Sequence, residues 1–354
     1  MPTVTANTAG TRAAIEYIQS YLAQRGMHCT LYEYSERTAL TACTGTKERK
    51  KPLVQLSAHI DVVPYRDSQL TLQEKDGKLY GRGVYDMKFA IAGFMELVDM
   101  LHEEGTLHEY DFGIAITPDE EASTQISGVE HLIQEGYRPS VAILPDSTAP
   151  GWDIEKVAKG RWCFELISVG KTTHASRPWE GESASTKLVA ALHELATHYK
   201  DGGRATDTLN IGSINGGGGI YNSVPDQMVA NVEIRLSNAE SYPKATKLVR
   251  ELCEKHNVTS ADFFLAEPAW PITDHPLVQE YCQSVKKITG RMPEGVTSLG
   301  GSDANFYTSV GIPCILSCPK GGDHHSGTEW VDKTSLEQFV PILRDYLDKV
   351  ARKV

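Results

Sequence analysis

The chain has 354 residues, 40% hydrophobic and 23% charged, with 46 acidic against 35 basic side chains and a net charge of −11. That length exceeds one ordinary core and predicts two domains, while the acidic balance, with no basic run longer than KERKK at 47–51, argues against nucleic acid as a partner. Seven cysteines without a CxxC pair suit a reducing compartment, and no apolar stretch approaches the ~20 residues that span a bilayer, so neither disulfides nor a membrane is expected.

An amphipathic helix is predicted over 11–26, with Ile15, Ile18 and Leu22 on one face and Gly26 as its stop. The opening MPTVTANTAGTRAAIEY lacks the basic start and apolar stretch of a secretory signal, which makes the expected location cytoplasmic. Strand PLVQLSAH follows, then a polar hairpin at Lys75-Asp76-Gly77 that ends at Tyr80. Phe89, Phe94, Leu97, Val98 and Leu101 recur at helical spacing from Met87 to about Glu104, so Asp86 falls at a helix N-terminus, a position that favours a carboxylate. Strand DFGIAIT, a helix near 126–135 and strand SVAILPD continue a parallel or mixed sheet.

After about residue 160 the pattern changes to WCFELISVG, SASTKLVAALHELATHYK, TLNIGSI, MVANVEIRL, YPKATKLVRELCEKH and VTSADFFLAEP. This β-α-β-β-α-β order is that of a split βαβ, ferredoxin-like module. From Thr273 the first pattern resumes with a helix, GVTSLG, SDANFYTS, PCILSCP and a last helix from Thr334. The expected architecture is therefore α/β: a discontinuous catalytic domain, 1–160 with 270–354, and an inserted α+β domain, 161–269.

Ligand-type residues punctuate this scheme: His59 in SAHIDVVP, Asp86 in GRGVYDMK, Glu120 and Glu121 in TPDEE, Asp146 in LPDS, and His324 or His325 in HHSGTEW. Each is expected just beyond an apolar strand, so an open sheet would gather them at its carboxyl edge. Asp61, two residues from His59, is placed to hold the imidazole in its metal-binding tautomer. Two adjacent carboxylates after a buried strand are costly without cations, and since neighbours point differently, one can hold a metal while the other handles protons. Read one at a time, each segment also fits a solvated turn, a cap or a surface histidine. Together they form the mixed nitrogen and oxygen set that zinc accepts.

SAHIDVVP, LYGRGVYDMK, TPDEE, GGGGIYNSVPD, GGSDANFY and HHSGTEW, in that order, resemble the M20 family of metallopeptidases and deacylases over nearly the whole chain. The resemblance implies a mixed-sheet zinc-hydrolase catalytic domain with an inserted dimerisation or lid domain, and hence a homodimer. It implies two Zn2+ ions, for which Co2+ or Mn2+ can substitute: Asp86 bridging, His59 and Asp146 on one ion, Glu121 and His325 on the other. His325 is preferred to His324 because the family's ligand lies four residues before a glutamate, here Glu329. Glu120 becomes the general base, with Asp61 beside it, and the peptide after Asp86 is expected to be cis.

In KTTHASRP, His174 matches an oxyanion donor that serves its own or a partner subunit's site, while Asn222 and Arg235 match positions that hold a substrate carboxylate. Locally His174 also reads as a loop residue and Arg235 as a sheet-surface arginine. The implied activity is cleavage of the amide of an N-acyl amino acid, as in deacetylases and desuccinylases; a di- or tripeptidase is the alternative, because Asp146 stands where deacylases tend to have glutamate. Ala58, Phe89 and Glu233 also depart from the usual family residues. A non-catalytic binding protein would lack a ligand or the base, and none is missing.

Overall fold

The computed structural model describes every residue except 1, 46, 122–125, 150, 158, 201–205, 239, 267–273, 299–300 and 354. The chain divides into two compact units, Met1–Ala158 with Ala269–Val354, and Lys159–Pro268. The ends of the expected strands at 267–268 and 299–300 lie outside the described residues.

The first unit is built on six strands: β1 (His28–Tyr34), β2 (Arg37–Cys43), β3 (Val54–His59), β4 (Phe112–Thr117), β5 (Val141–Leu144) and a last strand, Cys314–Leu316, in the order β1-β2-β4-β3-β5-last. β1 and β2 form an antiparallel hairpin that the sequence reading does not contain. Its two-residue turn is Ser35-Glu36, both at positive φ, 44° and 63°. That is the conformation hairpins favour, but it is built here without the Asn or Gly that normally signals it. β2 runs antiparallel to β4, and β4, β3, β5 and the last strand are mutually parallel. β3 and β4 are buried at all six positions, as expected for strands covered on both faces.

Helix α1 (Thr8–Gln24) starts three residues earlier than its apolar stripe predicts because the Asn7 side chain accepts the Gly10 N–H at 3.0 Å. Helix α2 (Lys88–Glu103) buries Phe89, Phe94, Leu97, Val98 and Leu101. Gly93 within it lies against Phe339, where a Cβ would stand 2.5 Å from Cδ1 of that ring. Phe339 in turn packs on Phe89, Phe94 and Trp152, joining the C-terminal helix Phe339–Val350 to the core.

A small antiparallel sheet orders Gly321–Gly322, Trp330–Asp332, Lys78–Tyr80 and Gln73–Lys75. It corrects the expectation that every ligand-type residue follows a main-sheet strand. Asp86 lies beyond Lys78–Tyr80, and His325 lies in the loop between Gly321–Gly322 and Trp330–Asp332. The pairing of Trp330 with Tyr80 is what brings these two segments together.

The second unit is an antiparallel sheet of Gly160–Val169, Thr208–Gly216, Gln227–Leu236 and Thr259–Ala266, ordered second, third, first, fourth along the chain. Helices Ala184–Thr197 and Ser241–His256 bury Leu188, Leu192 and Leu195, and Val249 and Leu252, against Trp162, Phe164, Val232 and Ile234. This is the ferredoxin-like arrangement.

Candidate metal centre

β3 and β4 end level, with His59 paired to Thr117. The residues that follow the parallel strands therefore leave from one edge: Asp61 after β3, Asp119, Glu120 and Glu121 after β4, and Asp146 after β5. The small sheet adds Asp86 and His325. Ligand atoms of His59, Asp86 and Glu121 lie within 4.8 Å of one another.

Asp86 stands between the two imidazoles. Its Oδ1 is 3.1 Å from His59 Nε2 and its Oδ2 is 3.0 Å from His325 Nε2, while Glu121 Oε2 is 2.8 Å from the same His325 nitrogen. His325 itself adopts a left-handed φ of 61°, uncommon for a residue with a side chain. The His324 ring lies beside those of Tyr85 and His325, with centroids 6.0 and 5.4 Å away. The Asp86–Met87 peptide is cis.

His59 Nδ1 lies 3.1 Å from the Asp61 carbonyl oxygen, which can only accept, so that nitrogen carries a proton. In the neutral ring, Nε2 then presents a lone pair to the Asp86 carboxylate. Acceptor faces acceptor, an arrangement that is stable only with a cation or an extra proton between them. The nitrogen and oxygen donors thus fit zinc.

Asp61 is fully buried and its carboxylate organises the neighbourhood. It accepts the Thr5 hydroxyl at 2.6 Å and the backbone N–H groups of Glu120 at 3.2 Å and Glu121 at 3.1 Å. The two glutamates consequently diverge. Glu121 reaches His325, whereas Glu120 Oε2 sits 4.0 Å from His59 Nε2.

Electrostatics point the same way. Burial, then the charge of Asp146, raises the Glu120 pKa well above the ordinary value; burial, then Asp86, pushes Asp146 up to about 8. Burial opposes a charged His59, but hydrogen bonds to Asp61 and Asp86 outweigh it and raise that imidazole. Hydrogen bonds to Asp86 and Glu121 raise His325 to about 10. Burial also opposes the Asp86 carboxylate, yet His325 and His59 hold its pKa below the usual range. Two imidazoles serve several buried carboxylates, and a bound cation would relieve the mismatch.

Several supporting residues were given no role from sequence. Ser302 hydrogen-bonds Asp146. Glu155, almost wholly buried, accepts the Ser147 hydroxyl at 2.9 Å and the Thr148 N–H at 2.8 Å, fixing the loop after Asp146. Glu329 accepts the N–H groups of Tyr85 and Asp86. From sequence it was marked only by its spacing from His325.

His174, Asn222 and Arg235 belong to the second unit. The His174 and Asn222 segments lie side by side: His174 bridges to Ser223, and the Ala175 N–H reaches the Asn222 carbonyl at 2.9 Å. The Ser176 N–H donates to His174 Nδ1 at 3.2 Å, which leaves the proton of a neutral ring on Nε2, an available donor. Arg235 is held by Glu233 at 2.8 Å, and the same carboxylate takes Arg161 at 3.0 Å.

An α/β sheet edge carrying paired imidazoles and carboxylates in this way defines a metal-dependent hydrolase. The model of peptidase family M20/M25/M40 matches residues 55–349, and the chain belongs to that family. Among curated relatives, succinyl-diaminopimelate desuccinylase of Hahella chejuensis is 27% identical over 365 residues, covering 99% of this chain and 94% of that protein. The same enzyme of Stenotrophomonas maltophilia is 27% identical, covering 99% and 96%. Among solved structures, a tripeptidase from Staphylococcus aureus superposes with a TM-score of 0.77 at 19% identity, covering all of both chains. An M20 metallo-carboxypeptidase from Sulfolobus solfataricus superposes at 0.78 with 14% identity, covering 98% of this chain and 95% of that one. Among the described residues no helix is long and apolar enough to cross a membrane.

Proposed function

We propose that the chain is a two-metal amide hydrolase acting on N-acyl amino acids. The observation that carries this reading is Asp86, with one carboxylate oxygen at His59 and the other at His325. His59 and Asp146 would hold one Zn2+, Glu121 and His325 the other, and Asp86 both; Co2+ or Mn2+ can take their place. Bound there, the ions would lower the pKa of a water towards neutrality and polarise the scissile carbonyl.

The protein's own groups do the rest. Glu120, half-buried and set beside His59 while Glu121 reaches His325, takes the proton of the attacking water and returns it to the departing amine nitrogen. Asp61 keeps the Glu120 backbone and the His59 ring in register. The His174 Nε2–H supports the developing oxyanion, in its own or the partner subunit's site. Asn222 and Arg235 receive the substrate carboxylate, and the inserted domain, residues 161–269, makes the homodimer. The seven cysteines are all unpaired, which supports a cytoplasmic setting.

His174→Ala is expected to keep its full zinc content and to lose on the order of 10²- to 10³-fold in kcat. Metal analysis beside steady-state kinetics checks this, and unchanged turnover would remove His174 from the mechanism.

The desuccinylase relatives favour a blocked substrate. Asp146 in place of glutamate favours an unblocked di- or tripeptide. A zinc-loaded preparation assayed on N-acetyl and N-succinyl amino acids beside free dipeptides separates the two. Cleavage of the blocked compounds alone is the expected result; cleavage of the free peptides alone would transfer the reading to a peptidase.

A further inference from the structure

The segments carrying Asp86 and His325 are joined by a buried ion pair that no ligand assignment uses. Arg82 Nη1 meets Glu329 Oε2 at 2.6 Å, with both side chains almost wholly buried, at 4% and 0% exposure. The other oxygen of Glu329 accepts two consecutive backbone N–H groups, Tyr85 at 3.0 Å and Asp86 at 3.2 Å. Arg82 Nη2 crosses to the carbonyl of Ser326 at 2.9 Å, the residue after His325, and Gln69 Nε2 reaches the same carbonyl at 3.0 Å. Main-chain bonds run alongside, from the Gly81 N–H to the Glu329 carbonyl at 3.3 Å and from the Arg82 N–H to the Gln69 carbonyl at 2.9 Å.

A buried ion pair seldom adds stability over an apolar pair of similar size, because desolvating both charges offsets their attraction. Its use lies elsewhere. Here both oxygens of Glu329 and both terminal nitrogens of Arg82 are engaged, and the partners they engage flank two proposed metal ligands that are 239 residues apart in sequence. We propose that Arg82 and Glu329 are positioning residues, a clamp that sets the Asp86 backbone and the His325 loop at the separation two metal ions require. The inference rests on the two-metal reading above. Glu329 acts on Asp86, which serves both ions; Arg82, through Ser326, acts on the His325 side alone.

The test is zinc binding by metal-free protein, measured by competition with a chromophoric chelator, on wild type, Glu329→Gln, Arg82→Met and the double variant. Circular dichroism and melting establish that each is folded. Groups that orient metal ligands typically contribute 10- to 100-fold in affinity. Glu329→Gln keeps an acceptor for the two N–H groups but turns an amide donor towards the guanidinium, so both zinc ions are expected to weaken by that factor. Arg82→Met is expected to weaken one ion only. The double variant removes the donor–donor conflict and should return to the level of Arg82→Met alone, a non-additivity that general loss of structure does not produce.

Folded single variants that bind both ions as tightly as wild type overturn the clamp, and so does a double variant whose losses simply add. If Glu329→Gln does not fold, Arg82→Met decides: one weakened ion supports the clamp, two unchanged ions overturn it. Wild-type protein that binds fewer than two ions overturns the two-metal reading and the clamp with it, and shows this before any variant is compared.

Discussion

Asp86→Ala is expected to strip both zinc ions at once and to leave no measurable hydrolysis. The reason is its position between the imidazoles, one oxygen 3.1 Å from His59 and the other 3.0 Å from His325. The loss of a ligand that serves one ion leaves the other ion's donors intact, whereas the loss of Asp86 removes a donor from both. It also brings the remaining carboxylates, Glu120, Glu121 and Asp146, together without a neutralising cation. Metal analysis of the dialysed variant reads the outcome directly. One ion retained at full occupancy would show that Asp86 does not bridge.

Glu120→Gln is the complementary case, expected to keep two zinc ions and to lose 10²- to 10⁴-fold in kcat, the range for a positioned general base. The amide fills the same space and its backbone N–H still meets Asp61, bonded at 3.2 Å in the parent chain, so the loop should hold. What disappears is a carboxylate able to accept a proton. A general base acts only while ionised and is lost as pH falls, so the acid limb it places on kcat/KM should be absent from the residual rate of the variant. Loss of zinc from the variant would mean that Glu120 and Glu121 have exchanged roles.

The proposed site residues at the ends of β3, β4 and β5 were legible from sequence because those strands are short, apolar runs: His59 is the last residue of β3, and Glu120, Glu121 and Asp146 lie within four residues of the ends of β4 and β5. A buried parallel strand announces itself by composition and also sets where its next residues go. Asp86 and His325 were legible only as motifs. Their strands, Lys78–Tyr80 and Trp330–Asp332, are three residues long, below the length at which a period can be read. His325 was preferred to His324 only through its spacing from Glu329, and the left-handed backbone at His325 has no signature in the sequence.

The β1–β2 hairpin escaped the reading for a different reason. Its turn is Ser35-Glu36, and nothing in that dipeptide marks positive φ at both positions. Arg82 with Glu329 is the extreme case: a contact across 247 positions has no local signature, and in sequence each residue is only a charged side chain within its own motif. The second unit was readable as a β-α-β-β-α-β pattern, whereas the acts proposed for His174, Asn222 and Arg235 depend on where their side chains meet a substrate, which no spacing encodes.

The most direct test of the two-metal account is the rate of N-succinyl and N-acetyl amino acid hydrolysis as zinc is returned to metal-free protein. The account predicts no turnover from the metal-free chain and full activity only as the second equivalent is bound. Full turnover by metal-free protein, or a rate that saturates at one equivalent and is unaffected by Asp86→Ala, would contradict it.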